Sequence, residues 1–229
     1  MKGVKGLNEK RVVGEKAVDY VKEGMVVGLG TGTTVFYTIS KLAKLVQQGF
    51  SIKGIPTSLQ TENLARELGI PLVSFNKIDR IDVAIDGADQ VNPDLNLIKG
   101  GGGALLREKI IAKAANTFIV VADSHKSVEK LGSFPLPVEV VPFGVEMTSK
   151  YIQELGGIPK LRQKDGSPYL TDNGHYIFDC SFHEITHPGD LERDLNLIPG
   201  VVDNGLFVGI ADMVITLDRN KEVGINFRK

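Results

Sequence analysis

Short apolar runs alternate with amphipathic segments through the first half of the chain. Residues 25–29 (MVVGL) are apolar throughout, as expected of a strand that is buried on both faces. Residues 33–47 instead repeat their apolar positions at helical spacing, with Phe36, Ile39, Leu42 and Leu45 on one face. Further strands are predicted at residues 52–56, 81–85 and 118–122, and further helices at residues 59–68, with Ser58 as cap, and 104–115. Strands that alternate with helices predict βαβ units and a parallel sheet, whose ligands bind at the carboxyl ends of the strands.

The pattern changes after Leu131. Prolines punctuate an extended segment, PLPVEVVPF, and a helix is predicted over residues 144–155. Strands at 158–162 and 175–182, joined by a polar stretch, precede a helix at 191–197 and an extended piece from Val201. This order predicts a small α+β unit of the βαββαβ kind. Residues 213–217 (MVITL) are expected to form a buried strand that returns to the first sheet.

Size and charge limit the classes of function. The chain has 229 residues, which suits one large or two modest domains. Its net charge is −1 and its pI about 6.4. The chain therefore lacks the excess of basic residues that would predict nucleic acid or an anionic membrane surface as a partner. Any anion-binding site must therefore be local.

Cys180 is the only cysteine, so no intramolecular disulfide can form. Cys180 lies in an apolar, strand-like stretch, and no base can be assigned to its thiol. A role as a buried apolar side chain is therefore favoured over a role as a nucleophile.

The segment MKGVKGLNEKR lacks the apolar run of a secretory signal, and no stretch approaches the roughly 18 apolar residues of a membrane span. A cytoplasmic protein is expected.

The glycine-rich loop of residues 28–34 (GLGTGTT) lies between a predicted strand and a predicted helix. Its backbone N–H groups, its threonine hydroxyls and the helix N-terminus together predict a phosphate site, although a tight turn with threonine caps is the alternative. The loop does not fit the dinucleotide pattern, because Thr33 stands where the third glycine should be and no acidic residue follows about 20 positions later. It does not fit a P-loop either, since no Gly-Lys-Ser/Thr follows.

A second loop, Lys99 followed by four consecutive glycines, leads directly into the helix of residues 104–115. Such a run costs conformational entropy, so a functional reason is expected. Exposed N–H groups at a helix N-terminus predict an oxyanion site. The alternative is a flexible connector.

Three carboxylates surround this second loop in the sequence. Asp86 follows the strand of residues 81–85, Asp89 comes three positions later, and Glu108 shares a helix face with Leu105 and Ile111. With Lys99 they supply general acid–base groups and a cation. Each also has an ordinary structural explanation: a turn or cap for the aspartates, a solvated helix position for Glu108 and a surface position for Lys99.

Residues 183–187 (HEITH) match the zinc-hydrolase pattern H-E-x-x-H. That mechanism needs both histidines on one face of a helix, and Pro188 disfavours helical geometry at His187. No third ligand is evident in the sequence. A metal site is therefore not predicted here.

Several segments together resemble one family, ribose-5-phosphate isomerase of type A. They are VGLGTGTT (27–34), PTS (56–58), DGADQV (86–91), KGGGGALLREKI (99–110), VADSHK (121–126) and PLPVEVVPFG (135–144). The resemblance extends from about Lys10 to the end of the chain. Thr33 stands where serine is common in the family, and threonine retains the hydroxyl group of serine.

The resemblance implies an α/β fold, with a Rossmann-like parallel-sheet domain (residues 1–131 and 206–229) and an inserted ferredoxin-like α+β domain (132–205). It implies a homodimer or a tetramer, with no cofactor and no metal. The implied activity is the conversion of D-ribose 5-phosphate to D-ribulose 5-phosphate through an enediolate, in the pentose phosphate pathway.

The resemblance also implies residue roles. Glu108 is similar to the base that moves the proton between C1 and C2, and Asp86 to a group that assists ring opening and hydroxyl proton transfer. Asp89 would hold sugar hydroxyls, and Lys99 with the glycine N–H groups would stabilise the enediolate. The implied substrate-binding set is Lys10, Thr31, Gly32, Thr33, Thr34, Asp86, Gly87, Ala88, Asp89, Lys99, Gly100, Gly101, Gly102 and Lys126.

A non-catalytic sugar-phosphate sensor is the alternative from another class. Such sensors often carry a DNA-binding appendage, and the sequence contains no basic helix-turn-helix segment. Measurable turnover would separate the two hypotheses.

Overall fold

The computed structural model describes residues 2–217 and 222–228, with side chains from Glu9 onward. Its helices are α1 (Lys2–Ala17), α2 (Val35–Gln47), α3 (Leu59–Glu67), α4 (Leu105–Ala114), α5 (Val145–Glu154) and α6 (Pro188–Asn196). Its strands are β1 (Val26–Leu29), β2 (Lys53–Pro56), β3 (Ile81–Gly87), β4 (Gln90–Val91), β5 (Leu97–Ile98), β6 (Ala115–Val121), β7 (Leu136–Val140), β8 (Ile158–Leu161), β9 (Gln163–Lys164), β10 (Ser167–Pro168), β11 (Tyr176–Ser181), β12 (Val201–Asn204), β13 (Leu206–Phe207), β14 (Met213–Leu217) and β15 (Val223–Phe227).

The chain divides into two compact units. Unit 1 comprises Met1–Ala88, Arg107–Ser127 and Ile210–Lys229, and unit 2 comprises Asp89–Leu106 and Val128–Gly209. The segment 89–106, which the sequence-based boundaries assign to the first domain, groups with unit 2. Those boundaries, at 131/132 and 205/206, stay a prediction, and the return segment 206–229 includes residues outside the described ranges.

Unit 1 is built on a six-stranded sheet with the order β15-β14-β6-β3-β1-β2. Its first five strands in the sequence, β1, β2, β3, β6 and β14, pair in parallel, which confirms the predicted parallel sheet. The return of residues 213–217 to this sheet is confirmed by the pairing of Met213 with Ile119. Strand β15, which the pattern did not predict, adds an antiparallel edge.

Two helices of unit 1 illustrate how local chemistry shapes the fold. Ser58 caps α3 as predicted, since its Oγ accepts the N–H of Thr61 at 3.0 Å. Helix α1 was not predicted from the pattern. It approaches α2 closely at Gly14, whose carbonyl accepts the hydroxyl of Thr38 at 2.8 Å, and a side chain at position 14 would collide with the carbonyl of Thr34.

Unit 2 contains a four-stranded antiparallel sheet with the order β12-β7-β11-β8. Along the chain its elements run β7-α5-β8-β11-α6-β12, so the βαββαβ order predicted from the pattern is confirmed. Helix α6 begins at Pro188, three residues before the predicted start, because proline fits the first turn of a helix. A separate three-stranded sheet, β13-β5-β4, was not predicted.

The polar stretch after β8 is a hairpin rather than a simple connector. Strands β9 and β10 pair in antiparallel fashion. Asp165 and Gly166 between them have φ values of 52° and 80°. Aspartate and glycine are the residues that tolerate this left-handed conformation best, so the Asp-Gly pair makes the tight turn.

A buried carboxylate lies inside unit 2. Glu139, on strand β7, is 0% exposed. Its Oε1 accepts the hydroxyl of Thr171 at 2.9 Å and lies 2.9 Å from Nδ1 of His175. These contacts compensate at Oε1 for the removal of the carboxylate from water, whereas its Oε2 is buried without a hydrogen-bond partner among the described residues. Across the described ranges, no helix combines the length and apolar character needed to cross a bilayer.

Candidate active site

The loop after β1 lies directly against the end of strand β3 in unit 1. The N–H of Gly30 donates to the carbonyl of Ile85 at 3.0 Å. A Cβ at position 30 would overlap the carboxylate of Asp86. Glycine at this position is therefore required for the close approach of the loop to Asp86.

Asp86 is buried at the carboxyl end of β3, with 2% of its surface exposed. Its Oδ1 accepts the N–H of Thr31 at 3.1 Å and the N–H of Gly87 at 2.7 Å. Two backbone donors thus fix the orientation of the carboxylate at the sheet edge where α/β proteins bind ligands.

Glu108 lies in the first turn of α4 and is 4% exposed. It shares the buried face of the helix with Leu105 and Ile111, as its spacing predicts. Glu108 and Asp86 line the same narrow space within unit 1, so the structure brings these two predicted catalytic residues together. The space is lined by Gly28, Gly30, Thr57, Ala84, Ile85, Asp86, Glu108, Ile111, Ala112 and Phe118.

The hydroxyl of Thr31 belongs to a cluster that sequence reasoning did not identify. Its Oγ1 lies 2.7 Å from the hydroxyl of Thr57, 2.8 Å from that of Ser58 and 3.0 Å from that of Thr61. Thr61 in turn donates to the carbonyl of Gly30 at 2.9 Å. The cluster ties the loop to α3. The only sequence signal for it was the PTS segment, which carries two of its hydroxyls.

The predicted phosphate loop lies beside the predicted cation Lys10. Gly32 and Thr33 are exposed at the N-terminal side of α2, whereas Thr34 is buried. The Nζ of Lys10 donates to the Thr33 hydroxyl at 2.9 Å and lies 4.0 Å from Oδ2 of Asp123. The structure therefore brings Lys10 to the loop, 23 positions away in the sequence.

Lys126, the other predicted cation, ends a short helical turn of residues 124–126. Asp123 begins this turn, and its Oδ1 accepts the N–H of His125 at 3.2 Å. Asp123 is thus in contact with Lys10 and also organises the turn that carries Lys126. Both cations are in unit 1.

The second glycine loop and its neighbours belong to unit 2. Lys99 is 2% exposed, with its Nζ 5.4 Å from the centre of the Phe207 ring. The Oδ2 of Asp89 accepts the N–H of Gly101 at 2.8 Å, so the structure brings these two predicted residues together. Gly101 and Gly102 are exposed, whereas Gly100 and Gly103 are buried.

Two residues that sequence reasoning missed also contact this loop. Arg162 donates to the carbonyls of Gly100 and Gly101, and the Tyr169 ring lies where a side chain at Gly103 would be. Burial raises the pKa of Tyr169 above its ordinary value, which further disfavours the charged phenolate. Nothing in the spacing of the sequence linked either residue to the glycines.

The remaining candidates have structural roles. His183–His187 is not helical, since Ile185 pairs with Leu131 and His187 caps α6, so the geometry required for H-E-x-x-H is missing. Among the described residues, no group of three or more His, Cys, Asp or Glu side chains is arranged to hold a metal ion. Burial raises the pKa of the Cys180 thiol, which keeps it protonated.

Comparison with known proteins gives consistent matches. The family model of ribose 5-phosphate isomerase A (phosphoriboisomerase A) matches residues 53–221. Ribose-5-phosphate isomerase A of Bacillus mycoides (strain KBAB4) is 50% identical over 215 residues, which cover 93% of this chain and 97% of the relative.

Solved structures agree with these sequence matches. A D-ribose-5-phosphate isomerase in complex with phospho-erythronic acid has a TM-score of 0.93 and 42% identity, with coverage of 96% of this chain and 98% of that one. Ribose 5-phosphate isomerase A of Methanocaldococcus jannaschii has a TM-score of 0.91 and 40% identity, with the same coverage.

Proposed function

The chain belongs to the ribose 5-phosphate isomerase A family, and we propose from this premise how its residues perform the reaction of the family. The protein is an enzyme that interconverts D-ribose 5-phosphate and D-ribulose 5-phosphate. One observation carries the assignment of its catalytic groups: the carboxylates of Asp86 and Glu108 are both buried and line one space within unit 1. The non-catalytic sensor has no support, since the relatives are named as isomerases.

Glu108 is proposed to be the base of the proton transfer. The isomerisation removes a proton from C2 of the open-chain aldose, next to the carbonyl at C1, and returns a proton to C1. A single positioned carboxylate can perform both steps, because the two carbons are adjacent. The burial of Glu108 limits exchange of the transferred proton with bulk water.

Asp86 is proposed to move protons between the sugar oxygens, first during ring opening and then between the oxygens of C1 and C2. Its Oδ1 is held by the N–H groups of Thr31 and Gly87. This anchoring supports the role, because a carboxylate with one oxygen fixed presents the other in a defined direction. Gly87 and Ala88, next in the chain, are proposed to line the substrate with their backbone.

The enediolate intermediate carries negative charge on its oxygens, so it needs fixed donors. We assign this role to the ammonium group of Lys99 and to the N–H groups of Gly100, Gly101 and Gly102. The exposure of Gly102 supports the assignment, whereas the N–H of Gly101 also donates to Asp89 and would share this bond with a ligand. Asp89 is proposed to bind sugar hydroxyls.

The phosphate is proposed to bind at the loop before α2. The N–H groups of residues 32–34 and the positive end of a 13-residue helix favour an anion there. Lys10 supports this assignment through its contact with Thr33, and Lys126 is proposed as a second cation. Binding energy at the phosphate would orient the distant reacting carbons.

We infer a homodimer, with a tetramer as the other symmetric assembly, from three highly exposed apolar side chains of unit 2. Phe143, Ile158 and Leu197 are 92%, 62% and 74% exposed. Side chains of this kind are often covered by a second copy. Light scattering coupled to gel filtration distinguishes monomer, dimer and tetramer.

A cytoplasmic location is proposed as well, in keeping with a chain that has one buried cysteine and no disulfide.

Glu108→Gln tests the proposed base. Purified, chelator-treated protein is mixed with ribose 5-phosphate, and formation of the ketose is followed. The variant is expected to lose about 10²- to 10⁴-fold in kcat, the usual effect of removing a general base, and to keep its affinity for phospho-erythronic acid within a few-fold.

Glu67→Gln is the matched control, because Glu67 is an exposed glutamate at the end of α3 in the same unit. It is expected to retain full activity. A Glu108→Gln protein with the kcat of the wild type would assign the proton transfer to another residue. A well-folded wild type without turnover would overturn the proposed function itself.

A further inference from the structure

The four glycines after Lys99 form a tight turn in unit 2. The N–H of Gly103 donates to the carbonyl of Gly100 at 3.0 Å, and the two residues have φ values of 84° and 98°. Glycine peptides rotate with little steric hindrance, so a run of four has no intrinsic reason to keep its N–H groups on one side. The bond between Gly103 and Gly100 closes the turn, and contacts from outside the run orient the peptides within it.

Arg162, just after strand β8, makes such contacts. Its Nη1 donates to the carbonyl of Gly100 at 3.0 Å and to the carbonyl of Gly101 at 3.3 Å. The guanidinium is itself held in place. Its Nε and Nη2 donate to the two oxygens of Asp179 at 3.0 and 2.5 Å, and it lies 5.8 Å from the centre of the Tyr169 ring.

The direction of the N–H groups follows from the geometry of the peptide bond. A planar trans peptide carries its N–H on the side opposite to its C=O. When Arg162 holds the carbonyls of Gly100 and Gly101, the N–H groups of Gly101 and Gly102 therefore point away from the guanidinium. The N–H of Gly101 does so, since it donates to Asp89 Oδ2 at 2.8 Å.

We propose that Arg162 is a positioning residue for the isomerisation: by holding the carbonyls of Gly100 and Gly101, it keeps the N–H of Gly101 on Asp89 and the N–H of Gly102 directed at the enediolate oxygens. This inference rests on the proposed function of those N–H groups. Without Arg162, the peptide between Gly101 and Gly102 can rotate and present a carbonyl oxygen instead of a donor, which would repel the developing charge. The peptide between Gly100 and Gly101 is held as well by Gly103 and Asp89.

Arg162→Met tests the inference, because it keeps much of the length of the side chain and removes all its donors. The matched control is Arg193→Met in the same unit. Arg193 also pairs with aspartates, Asp190 and Asp194, but contacts no glycine of the loop. For the wild type and both variants, kcat, KM and the Kd of phospho-erythronic acid are measured, with thermal unfolding as the test of folding.

The expected result is a split between the parameters. In Arg162→Met, kcat falls about 10- to 100-fold. Backbone donors that are poorly oriented stabilise the charged transition state less well, and they affect the bound substrate much less. The KM for ribose 5-phosphate stays within about threefold, since its binding energy comes largely from the phosphate. The Kd of phospho-erythronic acid, whose carboxylate resembles the enediolate, rises by a factor similar to the loss in kcat. Arg193→Met changes none of these.

Asp179→Asn is the second variant, and it keeps the arginine while weakening its anchor. It is expected to lower kcat in the same direction but less, with KM unchanged. A folded Arg162→Met with the kcat of Arg193→Met would overturn the inference and leave the proposed function intact. If Arg162→Met does not fold, an unchanged kcat in Asp179→Asn overturns the inference about Arg162. Absence of turnover in the wild type would overturn the proposed function instead.

Discussion

The carboxylate of Asp86 occupies the space in which a Cβ at Gly30 would lie. The loop after β1 and the end of β3 are therefore matched to each other, and any side chain at position 30 must displace the aspartate. The contact joins a residue of the glycine-rich loop to a proposed catalytic group that lies 56 positions later in the sequence.

Gly30→Ala is expected to inactivate the enzyme while leaving it folded. Overpacking costs about 1–3 kcal/mol of the free energy of unfolding, whereas a shift of about 1 Å in a catalytic group can lower kcat about 100-fold. Steady-state kinetics and urea unfolding measure the two effects. Gly224→Ala is the control, because a Cβ at position 224 would make only an ordinary contact, 3.7 Å from the carbonyl of Thr216. Equal kcat values for the two variants would contradict the prediction.

Lys10→Met is expected to raise KM for ribose 5-phosphate about tenfold or more with little change in kcat. A cation at the phosphate, far from the reacting carbons, contributes equally to binding of the substrate and of the transition state. Lys16→Met removes the same charge from the same helix, but Lys16 pairs with Asp19 away from the loop. The KM of Lys16→Met for ribose 5-phosphate should match that of the wild type at the same ionic strength. A loss confined to kcat in Lys10→Met would assign Lys10 a different role.

Thr31→Val is expected to destabilise the protein more than Thr31→Ser. Valine keeps the shape of threonine but removes the hydroxyl that lies within 3.0 Å of the hydroxyls of Thr57, Ser58 and Thr61. The loss should be about 1–2 kcal/mol in the free energy of unfolding, read from urea titrations. Serine keeps the hydroxyl and should recover most of that loss. Equal destabilisation by the two substitutions would show that the hydroxyl cluster contributes little.

The titration of Cys180 is expected to lower stability in alkaline solution. Burial, with a smaller effect of Asp179, raises the pKa of the thiol above its ordinary value of 9.0. Above about pH 9 the unfolded chain releases this proton and the native state keeps it, so stability falls as pH rises. Below that pH both states hold the proton, and the contribution is constant.

Cys180→Ala removes this titration. The free energy of unfolding of the wild type should fall more steeply than that of the variant above pH 9, and the difference in slope should approach about 1.4 kcal/mol per pH unit between pH 10 and about pH 10.5. Any cavity cost of the substitution does not depend on pH, so it shifts the variant's curve without changing the difference in slope. Parallel curves for the two proteins would contradict the prediction.

The sequence by itself determined the elements of the parallel sheet and of the βαββαβ unit, and the identity of the two glycine loops. Residues 213–217 returned to the first sheet as predicted, and Ser58 capped α3 as predicted. These features rest on local periodicity and on turn and cap chemistry, which depend on neighbours within a few positions. The segments quoted for the resemblance were sufficient to identify the family.

Only the tertiary structure decided which distant side chains meet. The contact of Arg162 with Gly100 spans 62 positions and that of Lys10 with Thr33 spans 23, and neither has a signal in residue spacing. The packing of α1 on α2 had no signal in the sequence either, and for the hydroxyl cluster around Thr31 the PTS segment indicated two of the hydroxyls but not that they meet Thr31. The physical reason is that such contacts depend on strand order, helix packing and backbone direction. Those arise from the whole core packing together, rather than from any one segment.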